Sequence, residues 1–330
     1  MTFISCRVHK DDNGIQHRIE EQEDYQLEDG QVLIKIAYSG INYKDALGAT
    51  GTAPIYKRYP INAGIDCAGE VVESRAEGVS VGQTVLVNGC GLGEIQDGGL
   101  SEMVAVPGEW VIPMPENLSP KSAMIYGTAG FTAALALERM IENGQTPDMG
   151  PVVVSGASGG VGSFALTMLA ELGYESIAVT GKKDQADYLK QLGATQVSSV
   201  DELELGSAPL EKARFGGMID NVGGELLTQC YTHVNLWGNV ACIGMAASPK
   251  LSATVFPLIL RGVSLLGASS ANCPMPRRTK VWNWIADDLL TDKLDLILSE
   301  ELPLANVSEG FNKLLNRENR GRILVRCQSN

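Results

Sequence analysis

One segment of the chain combines an apolar run, a glycine-rich turn and a helical pattern, which together are suited to bind an anion. Residues 152–162 read Val-Val-Val-Ser-Gly-Ala-Ser-Gly-Gly-Val-Gly. The glycine spacing lets a pyrophosphate approach the backbone at a helix N-terminus, where free N–H groups and the macrodipole favour negative charge. Glycine patterns also mark purely structural turns, but both flanks here fit a dinucleotide site. The residues predicted to contact the cofactor at this turn are Ser158, Gly159, Gly160 and Val161.

A second segment indicates which dinucleotide binds. Proteins that prefer NAD usually carry Asp or Glu at the end of the next strand, where the carboxylate bonds the ribose 2′-hydroxyl. That position here reads Thr180-Gly181-Lys182-Lys183. Cations that open a helix oppose its macrodipole, so their presence favours a compensating anion. A 2′-phosphate fits, with Thr180, Gly181 and Lys182 as contacts, and we predict NADPH as the cofactor; the alternative is a solvated lysine pair.

Both segments belong to an alternating series of strand and helix patterns that starts near Lys121. After the glycine turn, strands are predicted at 176–180, 218–220, 240–244 and 264–267. This alternation implies parallel strands with right-handed helical crossovers, that is, an α/β fold with a doubly wound parallel sheet. Such sheets bind ligands at the carboxyl ends of their strands.

The residues before this series have a different texture. Residues 1 to about 122 contain short β-like runs punctuated by Gly, Pro and Asn, and they lack long helical patterns. A helix is predicted near 277–290 and a last β-like run at 322–326. We expect that last run to return to the first domain.

Composition limits the classes of function. The chain has 330 residues, a formal net charge of -13 and no apolar run that could cross a bilayer. An acidic surface disfavours nucleic acid and anionic membranes as partners. Seven dispersed cysteines and no signal-peptide core predict a cytoplasmic protein. With three histidines and no His/Cys cluster, no metal site is expected.

Several motifs, in order along the chain, resemble the medium-chain dehydrogenase/reductase superfamily. They are the glycine turn, residues 126–133 (Tyr-Gly-Thr-Ala-Gly-Phe-Thr-Ala) and residues 40–47 (Gly-Ile-Asn-Tyr-Lys-Asp-Ala-Leu). Within its zinc-free quinone oxidoreductase branch, the YhdH/YhfP group, which includes acrylyl-CoA reductase (AcuI), is similar at 65–69, 89–94, 98–100, 209–212 and 321–322. The resemblance covers essentially the whole chain. It implies a GroES-like, mostly-β catalytic domain at 1–122 and 270–330 and an NADPH-binding Rossmann domain at 123–269.

The resemblance also bears on the reaction. Zinc-bearing alcohol dehydrogenases of this superfamily carry a Cys within the segment equivalent to 39–42, a His-Glu pair near 64–66 and a four-cysteine loop, none of which is present here. Alcohol oxidation through a zinc-bound alkoxide is therefore not expected. The resemblance implies NADPH-dependent reduction of an activated C=C bond or of a quinone.

Reduction of an α,β-unsaturated thioester puts negative charge on the carbonyl oxygen, so a donor must stabilise that oxygen and a proton must reach the α-carbon. The resemblance points to the segment Asn42-Tyr43-Lys44-Asp45. Tyr43 can border the nicotinamide and orient the carbonyl or supply the proton, Asn42 can bond nicotinamide or substrate, and Asp45 orients its neighbours. Without the resemblance, the segment would be interpreted as a polar turn.

Further residues carry two interpretations each. Asp66 is an active-site carboxylate or a buried hydrogen-bonding Asp, and Thr128 caps a helix or touches the cofactor. The resemblance places Asn221, Gly244, Met245 and Ser270 near ribose or nicotinamide, although Met245 fits a core position equally well.

Three classes of function follow from these observations. The first is reduction of a short enoyl-CoA, acryloyl-CoA by resemblance, with Lys57 and Arg58 as a basic pair that meets coenzyme A phosphates or is simply solvated. The second is quinone reduction, and the third is a non-catalytic NADPH-binding sensor. By resemblance we also expect a homodimer, formed by sheet extension across the strand at 264–267.

Overall fold

Residues 2–328, which the computed structural model describes, form two units. One unit contains the chain up to Thr128, Ser270–Asp288 and the part from Leu294 onward; the other contains Ala129–Ser269 and Leu289–Lys293. The first unit thus extends past the predicted boundary at 122, and residues 289–293 belong to the second.

Short apolar and alternating runs form the strands of both units. The strands are β1 (Thr2–Asp11), β2 (Gly14–Glu23), β3 (Gln31–Ile41), β4 (Ile61–Asn62), β5 (Asp66–Ser74), β6 (Thr84–Asn88), β7 (Met103–Pro107), β8 (Ile112–Pro113), β9 (Val152–Ser155), β10 (Ser176–Val179), β11 (Gln196–Ser198), β12 (Phe215–Asp220), β13 (Val234–Cys242), β14 (Ser264–Gly267), β15 (Leu298–Pro303) and β16 (Arg322–Arg326).

The helices connect these strands. They are α1 (Tyr43–Ala49), α2 (Pro120–Glu142), α3 (Gly160–Glu171), α4 (Ala186–Gln191), α5 (Gly224–Thr232), α6 (Phe256–Arg261), α7 (Met275–Asp287), α8 (Leu294–Ile297) and α9 (Val307–Leu315).

The first unit is built mainly of antiparallel strands. One sheet has the order β15-β16-β3-β5-β6-β8, with β7 paired to β3, and a second sheet has the order β2-β1-β4. The last strand, β16, pairs with β3, so that Ile323 lies opposite Ile41 and Leu324 opposite Gly40. The apolar faces of these strands, with α1 and α9, enclose one core. This pairing joins the C-terminal strand to the segment that leads into residues 42–45.

The second unit is a six-stranded parallel sheet with the order β11-β10-β9-β12-β13-β14. Every residue of β9, Val-Val-Val-Ser, is buried, as expected for a central strand of a parallel sheet with both faces covered. The predicted doubly wound Rossmann sheet is therefore confirmed. Within residues 2–328, no helix has the length and apolar character required to span a bilayer.

Candidate active site

A buried carboxylate organises the polar part of the first unit. Asp66 begins β5 and is fully buried. Its Oδ1 accepts the backbone N–H of Gly40 at 2.8 Å. Its Oδ2 accepts the side-chain amide of Asn42 and the backbone N–H of Thr128, each at 2.8 Å. Asp66 is thus a buried, hydrogen-bonded carboxylate, and its role as an active-site residue stays a prediction.

Arg322, which begins β16, is the cationic partner of this carboxylate. Its Nη2 lies 3.8 Å from Asp66 Oδ2, and both side chains are buried. Its Nε donates to the carbonyl oxygen of Ile125 at 3.1 Å, and its Nη1 donates to the carbonyl of Ile41 at 3.2 Å and to Asn42 Oδ1 at 3.0 Å. Burial lowers the pKa of the guanidinium. Four separate segments of the chain therefore meet at one ion pair.

Two glycines leave the space that this pair occupies. A Cβ added to Gly40 would lie 2.1 Å from Arg322 Nη2, and one added to Gly127 would lie 2.6 Å from the same atom. Gly127 also has a φ of +48°, which interrupts the helical conformation within α2. Only glycine adopts this conformation without strain and leaves room for the guanidinium.

The same network fixes the first turn of α1. The amide of Asn42 is used at both ends, by Asp66 and by Arg322. The backbone N–H of Asn42 donates to Asp45 Oδ2 at 2.8 Å, as in a helix capping box. Tyr43 lies between these two anchored residues, yet it is 41% exposed. The phenol of Tyr43 is therefore exposed on a turn whose neighbouring residues are held by hydrogen bonds.

Asp45 is a second buried carboxyl, close to Asp66. Burial, and then the negative charge of Asp66, raise the pKa of Asp45 to about 7, against the lowering effect of its hydrogen bonds from Asn42. Its Oδ1 is buried and has no hydrogen-bond partner among residues 2–328. A neutral carboxyl fits this environment, because the neutral form has the lower desolvation cost.

The structure thus brings Asn42, Tyr43, Asp45, Asp66 and Thr128 together within the first unit. Ser270 lies elsewhere in that unit, where its carbonyl oxygen accepts from Arg278 Nη2 at 3.0 Å. Sequence reasoning did not give Arg322 a role. Its signal was a cation at the start of an apolar run, Arg322-Ile-Leu-Val, which a strand interior rarely accepts without a partner.

In the second unit, the glycine turn lies between β9 and α3. Gly156 has a φ of +59°, and Gly159 N–H donates to the Gly156 carbonyl at 3.0 Å. A Cβ on Gly162 would lie 2.6 Å from Ala157 Cα, so the first turn of the helix packs tightly against the loop. Helix α3 begins at Gly160. The turn leaves backbone N–H groups at the helix N-terminus, the geometry that binds a pyrophosphate.

A third buried carboxylate lies beside this turn. Asp220, at the end of β12, accepts the Ser155 hydroxyl at 2.7 Å and the Gly223 N–H at 2.8 Å, and burial raises its pKa. Asn221 donates its N–H to Ser155 Oγ at 2.9 Å and its side-chain amide to the Ser155 carbonyl at 2.7 Å. Asn221 Oδ1 is buried and has no hydrogen-bond partner within the described chain. Sequence reasoning selected Asn221 but not Ser155 or Asp220, which hold it.

The remaining predicted cofactor residues follow neighbouring strands of the same sheet. Thr180 is buried, and its hydroxyl accepts the Lys182 N–H at 3.1 Å. Lys182 is half-buried, and burial lowers its pKa. Gly244 approaches Asn221 so closely that a Cβ would lie 2.1 Å from the Asn221 carbonyl oxygen. Met245 is 70% exposed, so it is not a core residue.

No group of three or more His, Cys, Asp or Glu side chains in residues 2–328 is arranged to hold a metal ion. The segments equivalent to the zinc ligands contain Ser39 and Asn42 in one case and Gly64 and Asp66 in the other. Asn42 and Asp66 are already committed to Arg322 and to each other. These residues do not fit a zinc site.

Two known families match large parts of the chain, and several known proteins resemble it over nearly its full length. Residues 28–116 match the alcohol dehydrogenase GroES-like domain, and residues 160–287 match the zinc-binding dehydrogenase family. The putative quinone oxidoreductase YhfP of Bacillus subtilis is 44% identical over 325 residues, 98% of each chain. Its crystal structure with NAD bound is similar with a TM-score of 0.94, at 41% identity and 99% coverage of both chains.

Two further relatives carry names other than quinone oxidoreductase. The acrylyl-CoA reductase AcuI of Ruegeria pomeroyi is 41% identical over 297 residues, 90% of each chain. The crystal structure of the yhdH oxidoreductase from Salmonella enterica in complex with NADP is 39% identical, with a TM-score of 0.94 over 99% of this chain and 100% of that one. These comparisons confirm the resemblance predicted from the motifs.

The pKa of Asp45 leads to a prediction about stability. The folded-state pKa of about 7 lies above the value of about 3.9 expected for an unfolded chain, so between these pH values the folded state binds the extra proton. The stability due to this group is therefore greatest at low pH and is lost as pH rises through the folded pKa. Between about pH 5 and about pH 7, we expect the unfolding free energy of the wild type to fall more steeply than that of Asp45→Asn, by about 1.3 kcal/mol per pH unit at most.

Chemical denaturation at several pH values measures this difference. Asp12→Asn, at an exposed position, is the matched control and should follow the wild type. Parallel curves for the wild type and Asp45→Asn would contradict the assignment.

Proposed function

The chain belongs to the medium-chain dehydrogenase/reductase family of oxidoreductases, and from this premise we propose that it uses NADPH to reduce the activated C=C bond of a short enoyl-CoA, acryloyl-CoA in particular. The observation that carries the proposal is Tyr43, an exposed phenol on a turn that buried side chains hold rigid. A 41% identical relative named acrylyl-CoA reductase supports the choice of substrate.

The glycine turn and the Asp220 network are the residues that would hold the cofactor. Backbone N–H groups at the start of α3 would bind the pyrophosphate. Asn221 is held by two hydrogen bonds to Ser155, and its buried, unpartnered Oδ1 is an acceptor for a cofactor hydroxyl or amide. When bound, the cofactor supplies a hydride to the β-carbon of the acceptor.

Tyr43 is the residue we propose for charge stabilisation. As the β-carbon gains a hydride, the π electrons of the C=C bond move towards the thioester, and negative charge develops on its carbonyl oxygen. A phenolic O–H directed at that oxygen stabilises the enolate-like transition state. A proton on the α-carbon then completes the saturated thioester.

Asn42, Asp45 and Asp66 act through Tyr43 in this proposal. Their polar groups bond one another, Arg322 and backbone N–H groups, which fixes the start of α1. Preorganised donors avoid the cost of reorienting during the reaction, which is how a fixed hydrogen-bond donor lowers a barrier. We therefore assign these three as positioning residues.

Quinone reduction is the second candidate, because a 44% identical relative is named a putative quinone oxidoreductase.

A comparison of NADPH oxidation with acryloyl-CoA and with 1,4-benzoquinone separates the two. We expect kcat/KM for acryloyl-CoA to be higher by tenfold or more, and Tyr43→Phe to lower its kcat by about tenfold, since it removes one donor to the developing charge.

Tyr59→Phe, at a tyrosine that packs against the core of the first unit, is the control and should retain its rate. A preference for the quinone would replace the proposed substrate. Tight NADPH binding with no turnover of either acceptor would indicate the sensor.

Thr180 and Lys182 are the proposed contacts of the 2′-phosphate. Lys182 is half-buried at the end of β10, where an anion would offset the cost of desolvating its charge. We expect Lys182→Ala to raise the Kd of NADPH about tenfold, the value of one charge-assisted hydrogen bond, and to change the Kd of NADH less than about twofold. Fluorescence titration measures both constants. Lys190→Ala, at an exposed position of α4, is the control. An equal loss for both dinucleotides would contradict the assignment.

The edge of the second unit supports a homodimer. Among residues 2–328, β14 pairs only with β13, which leaves backbone groups on its other edge. Nearby, Trp237 is 70% exposed and packs on Gly262, while Ile259 and Leu260 on α6 are 73% and 59% exposed. Contiguous exposed apolar side chains of this kind mark interaction surfaces.

We expect sedimentation equilibrium to give the mass of a dimer for the wild type and of a monomer for Ile259→Glu, because a carboxylate cannot be buried unpaired at an apolar interface. Val200→Glu, at an exposed apolar residue of the same unit, should remain dimeric. A monomeric wild type or a dimeric Ile259→Glu variant would disprove this interface.

The cytoplasm is the compartment we propose. None of the seven cysteines, all of which lie within residues 2–328, forms a disulfide, and five of them are buried. Dispersed thiols of this kind are typical of proteins from a reducing environment.

A further inference from the structure

A cavity of about 640 Å³ lies entirely within the first unit. Its wall comes from three segments: residues 90–95, residues 109–110 and residues 271–275. Its volume lies within the range of about 300–1,000 Å³ that is usual for small-molecule sites. None of the site residues described above lines it.

A buried arginine holds two of these segments together. Arg278 on α7 is fully buried, and its Nη1 donates to the Asn88 carbonyl at 2.6 Å. Its Nη2 donates to the carbonyls of Ala271 at 3.1 Å and Cys273 at 3.0 Å. The N–H of Cys90 also donates to the Ala271 carbonyl, at 3.0 Å. The cavity therefore has a preformed frame.

The wall combines apolar surface with hydrogen-bond acceptors. Ile95, Trp110 and Met275 supply apolar surface, and Trp110 also packs against the core of the unit. Glu94 and Glu109 supply carboxylate oxygens. Acceptors of this kind favour a ligand with N–H donors and repel one with only carbonyl oxygens or phosphates. A chain that is largely apolar and carries amide N–H groups meets both requirements, whereas a quinone does not.

Three contacts connect this wall to other functional candidates. Lys44, next to Tyr43, pairs with Glu94 at 2.8 Å. The Lys57 N–H donates to the Glu94 carbonyl at 2.9 Å, and Arg58 Nε donates to the Ile95 carbonyl at 3.0 Å. Lys57 is exposed, so the wall contacts both the proposed catalytic turn and a residue that carries a solvent-exposed cation.

From this arrangement we propose that the cavity receives the pantetheine arm of the acyl-CoA, with its amide N–H groups towards Glu94 and Glu109, and that Lys57 meets the phosphates beyond the arm. The proposal rests on the proposed function, since it names the part of the thioester that the enzyme recognises. Pantetheine supplies two amides and one hydroxyl on a chain that is aliphatic in its other parts, and the phosphates remain outside the acidic wall.

Binding of saturated, unreactive thioesters tests this site independently of turnover. Calorimetry with propionyl-pantetheine and propionyl-CoA would be performed on the enzyme saturated with NADP⁺. We expect Ile95→Trp, which fills the cavity from a position that is 50% exposed, to weaken both ligands tenfold or more. We expect Lys57→Ala to weaken propionyl-CoA about threefold or more and to leave propionyl-pantetheine unchanged, because only the former carries phosphates.

Val81→Trp, at a 65% exposed residue of the same unit outside the cavity, is the matched control and should bind both ligands normally. The inference is overturned if the wild type binds neither thioester, if Ile95→Trp binds both as well as the wild type, or if Val81→Trp weakens them equally. Binding of both thioesters without reduction of acryloyl-CoA would support the cavity assignment and would refute the proposed reaction.

Discussion

The buried ion pair between Asp66 and Arg322 is the constraint on which the first unit depends. It connects the end of β3, the start of β5, the Gly127 kink in α2 and the start of β16. Removal of one partner would leave the other charged and buried, which costs about 3–5 kcal/mol in comparable cases. The other features follow from this geometry: Gly40 and Gly127 must lack a Cβ, and the Asn42 amide must bridge both charges.

The two units use buried polar groups in the same way. In the first, Asp66 and Arg322 hold a turn from which the Tyr43 phenol projects. In the second, Asp220 and Ser155 hold the loop beside the glycine turn. In each case the buried carboxylate is satisfied by backbone N–H groups and a neighbouring side chain, so it positions other groups. Because buried networks have little freedom to rearrange, the atoms that they present are preorganised for a ligand.

Two positive charges occupy buried positions, although the chain as a whole is acidic. The formal net charge is -13, yet Arg322 and Arg278 are fully or nearly fully buried and hydrogen-bond to backbone carbonyl oxygens. The planar guanidinium has five donors in fixed directions, so it can serve more carbonyls at once than the three donors of an ammonium. The proposed function uses two lysines towards anionic ligands, the half-buried Lys182 and the exposed Lys57. Net charge thus disfavours some classes of partner but does not locate a site.

Local patterns in the sequence were sufficient for the fold class and for the glycine turn. Strand patterns and glycine spacing are properties of short stretches of sequence. The strands β10, β12 and β14 and the start of α3 could therefore be predicted. The ion pair could not, because Asp66 on β5 and Arg322 on β16 are far apart in the chain and nothing in either segment identifies the other. The cavity walls likewise come from loops that are distant in sequence, brought together by Arg278. The sequence by itself determined which elements form and which residues are chemically competent. Only the tertiary structure decided which of those residues are buried and serve as supports, because burial and long-range pairing depend on the packing of the whole unit.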